Sequence, residues 1–218
     1  MSCHNKNHAY PVRPDFSGLL RPPFTCLIMG AQSQGKSVTG HSIAEWCHGQ
    51  GRNIEILTFR HVAEKKLLPD WMKKTNIMYP KLLPDHIILF DETQLRQHAR
   101  DSMKLDNVTF DKLATLSRQR NISMVYITQD SFRIDRNLIA LCDIIIFKKP
   151  RLMSTQLERQ EVRVLFQNVY HNFVFHCPGD EERQWCYVLA EKAGYEGWVG
   201  PVGLPSYWCE ELSTWTRH

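Results

Sequence analysis

The sequence predicts an α/β fold in which a mostly parallel central sheet is flanked by helices. From Phe24 onward, short apolar runs alternate with longer amphipathic stretches, which is typical of strands and helices that follow one another along the chain. The short runs are apolar throughout, as expected of strands that are buried on both faces of a sheet. With 43% hydrophobic and 23% charged residues over 218 positions, the chain has the composition of one globular domain with a sizeable core.

Five strands and three helices are predicted in the first three quarters of the chain. Polar or turn residues bound each strand, and the first helix ends near Gly49 and Gly51, a residue type that commonly stops helices. The predicted strands are Phe24–Met29, Asn53–Phe59, His86–Asp91, Ser123–Thr128 and Asp143–Lys148, and the predicted helices are Lys36–His48, Phe110–Arg120 and Ser154–Gln167.

The C-terminal part of the chain predicts a hairpin followed by a tail. Asn172–Cys177 and Gln184–Leu189 are apolar enough to form two strands, and Pro178-Gly179-Asp180 between them is a turn sequence. A last short helix is predicted at Glu210–Thr214.

The composition divides the chain into three segments. Residues 1–23 contain four prolines and predict an extended arm, residues 24–190 form the core, and residues 191–218 are rich in aromatic side chains. We expect this tail to pack on the core or on a neighbouring subunit. No apolar run reaches the roughly 18–20 residues of a membrane span. The odd count of seven cysteines and the absence of an apolar leader predict a cytoplasmic, reducing environment.

The strongest motif lies between the first predicted strand and the first predicted helix. Gly30-Ala31-Gln32-Ser33-Gln34-Gly35-Lys36-Ser37 fits the pattern G-x-x-x-x-G-K-[ST] at every fixed position. Glycines let the backbone N–H groups of such a phosphate-binding loop point at phosphate oxygens, and the following helix adds its positive N-terminal end. Lys36 would neutralise the β and γ phosphates of ATP, and the Ser37 hydroxyl would ligate Mg²⁺. The predicted nucleotide-binding residues are Gly30, Ala31, Gln32, Ser33, Gln34, Gly35, Lys36, Ser37 and Val38.

A pair of carboxylates follows the third predicted strand. Asp91 comes directly after the apolar run and predicts a second ligand for Mg²⁺, while Glu92 predicts the base that activates the attacking water. A glutamate directly after the magnesium-binding aspartate indicates the class of P-loop ATPases with an additional strand between the P-loop strand and the aspartate strand. Ser123–Thr128 is the candidate for that strand, so Gln129 would lie beside the γ phosphate.

The run Leu116-Ser117-Arg118-Gln119-Arg120-Asn121-Ile122-Ser123, continuing to Thr128-Gln129, resembles the FtsK–HerA superfamily of DNA-pumping ATPases. In that superfamily a basic segment leads into a strand that ends in Thr-Gln. The following Ile134-Asp135-Arg136-Asn137 is similar to the branch that packages viral genomes, in membrane-containing icosahedral and poxvirus-like large DNA viruses. The compact chain also fits that branch, because the cellular members have extra domains.

The resemblance implies a RecA-like P-loop core and a homo-oligomeric ring, with a hexamer as the expected ring size and each nucleotide at a subunit boundary. An arginine of the neighbouring subunit then stabilises the charge on the γ phosphate. The candidates are Arg118, Arg120, Arg133 and Arg136, of which we favour Arg118; Arg136 is a further candidate for contact with the γ phosphate.

The function implied is ATP-driven translocation of double-stranded DNA into a preformed capsid, in the host cytoplasm or in association with the virion. A capsid or membrane-associated vertex protein is then a further expected partner. The alternatives are a filamentous-phage assembly ATPase, a cellular HerA-like DNA-transfer ATPase and, from another class, a P-loop small-molecule kinase or nucleotide switch. The pair Asp91-Glu92 together with Gln129 disfavours the kinase.

Overall fold

The computed structural model describes residues 10–57, 67–75, 84–90, 117–129, 136–157 and 160–214. Within them, nine strands form one sheet in the order β1-β9-β8-β7-β2-β6-β5-β3-β4. All neighbouring pairs are parallel except β7 with β8 and β8 with β9. The predicted α/β class with a mostly parallel sheet is therefore confirmed. The strands are β1 Val12–Arg13, β2 Thr25–Met29, β3 Asn53–Leu57, β4 Met72–Thr75, β5 His86–Phe90, β6 Ser123–Thr128, β7 Ile144–Phe147, β8 Cys186–Ala190 and β9 Tyr195–Val199.

Helices cover both faces of the sheet. Alternate residues of β2 point to opposite faces, so Cys26 and Ile28 join one buried cluster while Leu27 and Met29 join the other. The first helix packs on one face and the long fourth helix packs on the other. The helices are α1 Lys36–Gly49, α2 Arg136–Leu141, α3 Leu152–Leu157, α4 Gln160–Phe175 and α5 Glu210–Thr214.

The strand order confirms the additional strand that the sequence predicts. β6 lies between β2, which leads into the phosphate-binding loop, and β5, which precedes Asp91. The register pairs Met29 with Thr128 and Phe90 with Tyr126. Because all three strands are parallel, their carboxyl ends meet at one edge of the sheet, which we call the carboxyl edge.

The predicted strand at Asn172–Cys177 is wrong. Residues up to Phe175 belong to α4, in which Phe166, Val169 and Phe173 recur every three to four residues and are all buried. Their aromatic and β-branched neighbours favour a strand locally, but packing of this stripe against the sheet stabilises the helix instead. Of the predicted helix Ser154–Gln167, residues 154–157 are helical in α3 and residues 160–167 in α4, while residues 158–159 lie outside the described residues.

The C-terminal hairpin is formed by β8 and β9, one turn later than predicted. Gln184–Leu189 overlaps β8, whose partner is β9, and the short 3₁₀ segment Glu191–Ala193 connects the two strands. The last helix has the predicted bounds, Glu210–Thr214. Of the predicted helix Phe110–Arg120, residues 117–119 are helical and residues 110–116 lie outside the described residues.

The two ends of the described chain pack on the core. β1 extends the sheet through a parallel pair with β9, and Phe16, Leu19 and Leu20 are buried in the same cluster as α1. Leu212 of α5 is buried there too. No helix in the described ranges is both long enough and apolar enough to cross a membrane.

Candidate nucleotide site

The phosphate-binding loop connects the carboxyl end of β2 to the start of α1. Its backbone reverses direction through positive φ angles at Gly30 (150°), Ser33 (63°) and Gly35 (82°). Such a conformation turns successive N–H groups toward one concave side and makes an anion-binding nest. Gly35 directly precedes Lys36, the first residue of α1, so the helix N-terminus faces the same place.

Close packing explains both fixed glycines of the motif. A Cβ atom at Gly30 would lie 2.6 Å from the Cβ atom of Lys148 and 2.7 Å from its carbonyl oxygen. A Cβ atom at Gly35 would lie 3.0 Å from the carbonyl oxygen of Arg183. The loop is therefore held between the end of β7 and the segment that precedes β8.

Lys36 is almost fully buried, with 6% of its surface exposed. Its ammonium group donates a hydrogen bond to the carbonyl oxygen of Ala31 at 2.7 Å. Thr39 donates from its hydroxyl to the carbonyl oxygen of Gly35 at 3.1 Å and fixes the first turn of the helix. The lysine thus spans the loop from its helical end to its start, which places the positive charge over the nest.

One cleft joins the phosphate-binding loop to Gln129. Gln129 follows Thr128, which pairs with Met29, so it lies level with Gly30 at the carboxyl edge. The structure therefore brings the predicted Gln129 next to the predicted loop. The cleft is open to solvent and is lined by Gly30, Ala31, Gln32, Gln129, Pro150, Arg151 and Phe166.

Sequence reasoning missed the basic segment that follows β7. Lys148 is buried, whereas the neighbouring Lys149 is half-buried and pairs with Glu182 at 2.7 Å. Arg151 is exposed and lines the cleft. In the sequence, Lys148 looks like a solvated lysine after an apolar strand, and only its position after a strand next to β2 brings it to the loop.

Arg118 lies at the opposite edge of the sheet. Its guanidinium is 3.8 Å from a carboxylate oxygen of Asp143, and the other oxygen accepts a hydrogen bond from the N–H of Thr25 at 2.9 Å. Thr25 begins β2, so about 16 Å of strand separates this edge from the loop of the same chain. The structure does not bring Arg118 to its own phosphate loop, and its role toward a neighbouring subunit stays a prediction.

Other predicted site residues lie outside the described part of the chain. These are Asp91, Glu92 and Arg133, together with the side chain of Arg136, the first residue of α2. Ser37 is in the first turn of α1, where its hydroxyl fits one half of a magnesium site. Asp91, the other predicted ligand, lies outside the described residues, so the binding of Mg²⁺ stays a prediction.

Solved structures of P-loop ATPases resemble this chain. The DNA-packaging ATPase from Sulfolobus turreted icosahedral virus has a TM-score of 0.59 and 11% identity over 84% of this chain and 100% of that chain. The chain has the fold of these P-loop ATPases. The genome packaging NTPase from Sulfolobus turreted icosahedral virus 2 in complex with ATP-gammaS gives 0.57 and 9%, over 83% of this chain and 98% of that chain.

A further P-loop ATPase of this fold is the pCW3 conjugation coupling protein TcpA, with a TM-score of 0.52 and 16% identity. The match covers 80% of this chain and 59% of the conjugation protein's chain. No family model and no curated protein sequence matches the chain. At these identities the likeness shows a shared fold.

Proposed function

We propose that this protein is an ATPase that moves double-stranded DNA and packages a viral genome into a preformed capsid. The single observation that carries the proposal is the cleft in which Gln129, which follows the additional strand β6, lies beside the phosphate-binding loop that follows β2. This arrangement supports a nucleotide site with a polar side chain level with it, and the strand order is the one expected of ATPases with a catalytic glutamate after the aspartate.

The mechanism follows from the residues at the carboxyl edge. Lys36 and the loop N–H groups neutralise the charge of the phosphates, and Gln129 contacts the γ phosphate or orients the attacking water. Glu92 accepts the proton of that water. Ser37 and Asp91 would hold Mg²⁺, which when bound supplies further positive charge to the phosphate oxygens. In the proposed homo-oligomeric ring, a hexamer, an arginine from the next subunit completes each site.

The fold likeness supports packaging over cellular DNA transfer. The two viral ATPases have TM-scores of 0.59 and 0.57 and the conjugation protein has 0.52. This supports the viral branch and, with it, a capsid or vertex partner.

The first test measures ATP hydrolysis with and without linear double-stranded DNA. We expect the duplex to raise turnover severalfold, and we expect Lys36→Ala and Glu92→Gln to abolish hydrolysis. Equal turnover without DNA by a monomeric protein would overturn the motor and favour a small-molecule acceptor. Binding of ATP with no turnover in either condition would point to a missing capsid component.

The second test asks whether Arg118 acts across a subunit boundary. Arg118→Ala alone should lose at least tenfold in hydrolysis, because the γ phosphate loses its neighbouring cation. In a ring mixed with Lys36→Ala subunits, some boundaries combine an intact loop with an intact arginine. Activity above that of either variant alone supports Arg118, and no gain transfers the role to Arg120, Arg133 or Arg136.

A further inference from the structure

A buried lysine lies directly behind the phosphate-binding loop. Lys148 is 1% exposed and follows the last residue of β7. Its ammonium group donates hydrogen bonds to the carbonyl oxygens of Arg183 at 2.7 Å and Trp185 at 3.2 Å. A lysine ammonium has three donor hydrogens, and these two carbonyls satisfy two of them.

The lysine contacts both ends of the loop. Its backbone N–H donates a hydrogen bond to the carbonyl oxygen of Met29 at 2.7 Å, and its Cβ atom and backbone carbonyl fill the space beside Gly30. At the other end, a Cβ atom on Gly35 would lie 3.8 Å from the Lys148 ammonium nitrogen. The ammonium group therefore lies against the Gly35 end of the loop.

Within the described part of the chain, no neighbouring acid balances the charge of Lys148. Among the described residues no carboxylate contacts its ammonium group, whereas the adjacent Lys149 pairs with Glu182 at 2.7 Å. A buried cation without an anion is unfavourable because carbonyl dipoles replace only part of its hydration. The loop next to it has the backbone of an anion-binding nest, so a bound polyphosphate would supply the missing negative charge.

We propose that Lys148 is a positioning residue for nucleotide polyphosphates, which acts through the Gly35 end of the loop and raises affinity for nucleotides that have a β phosphate. This inference rests on the ATP binding in the proposed function. Lys148 then complements Lys36: Lys36 acts from the concave side of the loop and Lys148 from behind it.

The test compares Lys148→Gln with Lys149→Gln, which removes the same charge one residue away. Glutamine keeps amide donors for the carbonyls of Arg183 and Trp185 but has no charge. Calorimetric titrations with ATP, ADP and AMP give dissociation constants for each variant, and unfolding without nucleotide establishes that each is folded. Lys148→Met, which keeps the length without donors, is the second variant.

We expect Lys148→Gln to weaken ATP and ADP about tenfold and AMP less than twofold, since AMP has no β phosphate. Lys149→Gln should change all three less than twofold. A purely structural role would weaken the three nucleotides equally, and that result overturns the inference. Failure of both Lys148 variants to fold without nucleotide also overturns it, because the fold itself would then need the charge. If the wild type does not bind ATP at all, the proposed function fails instead.

Discussion

The two edges of the central sheet hold their positive charges in different ways. At the amino edge, where the parallel strands begin, Arg52 pairs with Asp85 at 2.9 Å and Lys192 pairs with Asp143 at 2.7 Å. At the carboxyl edge, Lys36 and Lys148 are buried and donate to backbone carbonyls. The ion pairs of the amino edge are formed within the chain, while at the carboxyl edge Lys148 donates to backbone carbonyls beside the phosphate-binding loop.

This difference separates a part of the sheet whose charges affect stability from a part whose charges we expect to serve ligand binding. Partly exposed ion pairs contribute little to stability and tolerate change. Buried cations beside an anion-binding nest cost stability unless a ligand is bound, so they persist at sites of function. Four predictions test this contrast, in order of decreasing effect.

The largest effect is expected from Lys36→Ala at the carboxyl edge. Loss of this charge removes the cation over the phosphates, and we expect hydrolysis to fall at least 100-fold. A steady-state assay of phosphate release measures the fall, and an unfolding curve controls for a folded protein. Hydrolysis within tenfold of the wild type would mean that the carboxyl edge is not the site.

Gly30→Ala should destabilise the protein by roughly 2–4 kcal/mol, because its Cβ atom would overlap the backbone of Lys148. Gly49→Ala is the matched control, since nothing lies within 4 Å of its added atom and it ends a helix. Alanine there should be neutral or stabilise by up to about 1 kcal/mol. Denaturant unfolding measures both, and equal effects would contradict the tight packing behind the loop.

The next prediction concerns the face of α1 that meets the C-terminal tail, which lies at neither edge of the sheet. Because of His41 on this face, the free energy of unfolding should depend on pH. His41 contacts the Tyr207 hydroxyl at 2.8 Å, and burial lowers the pKa of His41 to about 4. Between pH 6.5 and 4 the unfolded chain binds a proton that the folded chain does not, so stability falls as the pH falls. The loss approaches about 3 kcal/mol at pH 4.

Unfolding curves at several pH values measure this loss, and His41→Gln should remove most of its slope. A slope that persists in the variant would assign the effect to other groups, such as the carboxylates of the amino edge. In that case the comparison of the two edges would have to include the titration of these carboxylates.

The smallest effect is expected from Asp143→Asn at the amino edge. Asparagine keeps an acceptor for the N–H of Thr25 but loses the charge that Lys192 and Arg118 face. We expect a loss of about 1 kcal/mol in the free energy of unfolding and no change in ATP affinity. A tenfold change in the dissociation constant for ATP would show that the two edges are coupled.

Sequence patterns predicted the parts of the site that are local in the chain. The phosphate-binding loop is a continuous segment, and its glycines, lysine and serine each have a conformational or chemical reason that can be stated without a partner. The buried strands were equally accessible, and the carboxylate after Asp91 indicated the place of β6 in the sheet. Five apolar runs lie within a few residues of the observed strands.

The C-terminal end of α4 was harder to predict because the local strand preference of its residues and their packing disagree there. The run Phe173-Val174-Phe175 has strand-like composition, yet Phe173 continues the buried stripe of α4 on the sheet. Helix and strand were equally compatible with the residues themselves, and the stripe became visible only against the surface that buries it.

The phosphate-binding loop between a buried strand and a helix could be predicted from the sequence, because motif, strand and helix are contiguous. The positions of Lys148 behind this loop and of Arg118 at the far edge of the sheet could be seen only in the tertiary structure. Both are basic residues beside apolar strands, and nothing local separates them. Their environments differ because strand order and direction set which ends of distant segments meet, and this long-range pairing is fixed by the core as a whole.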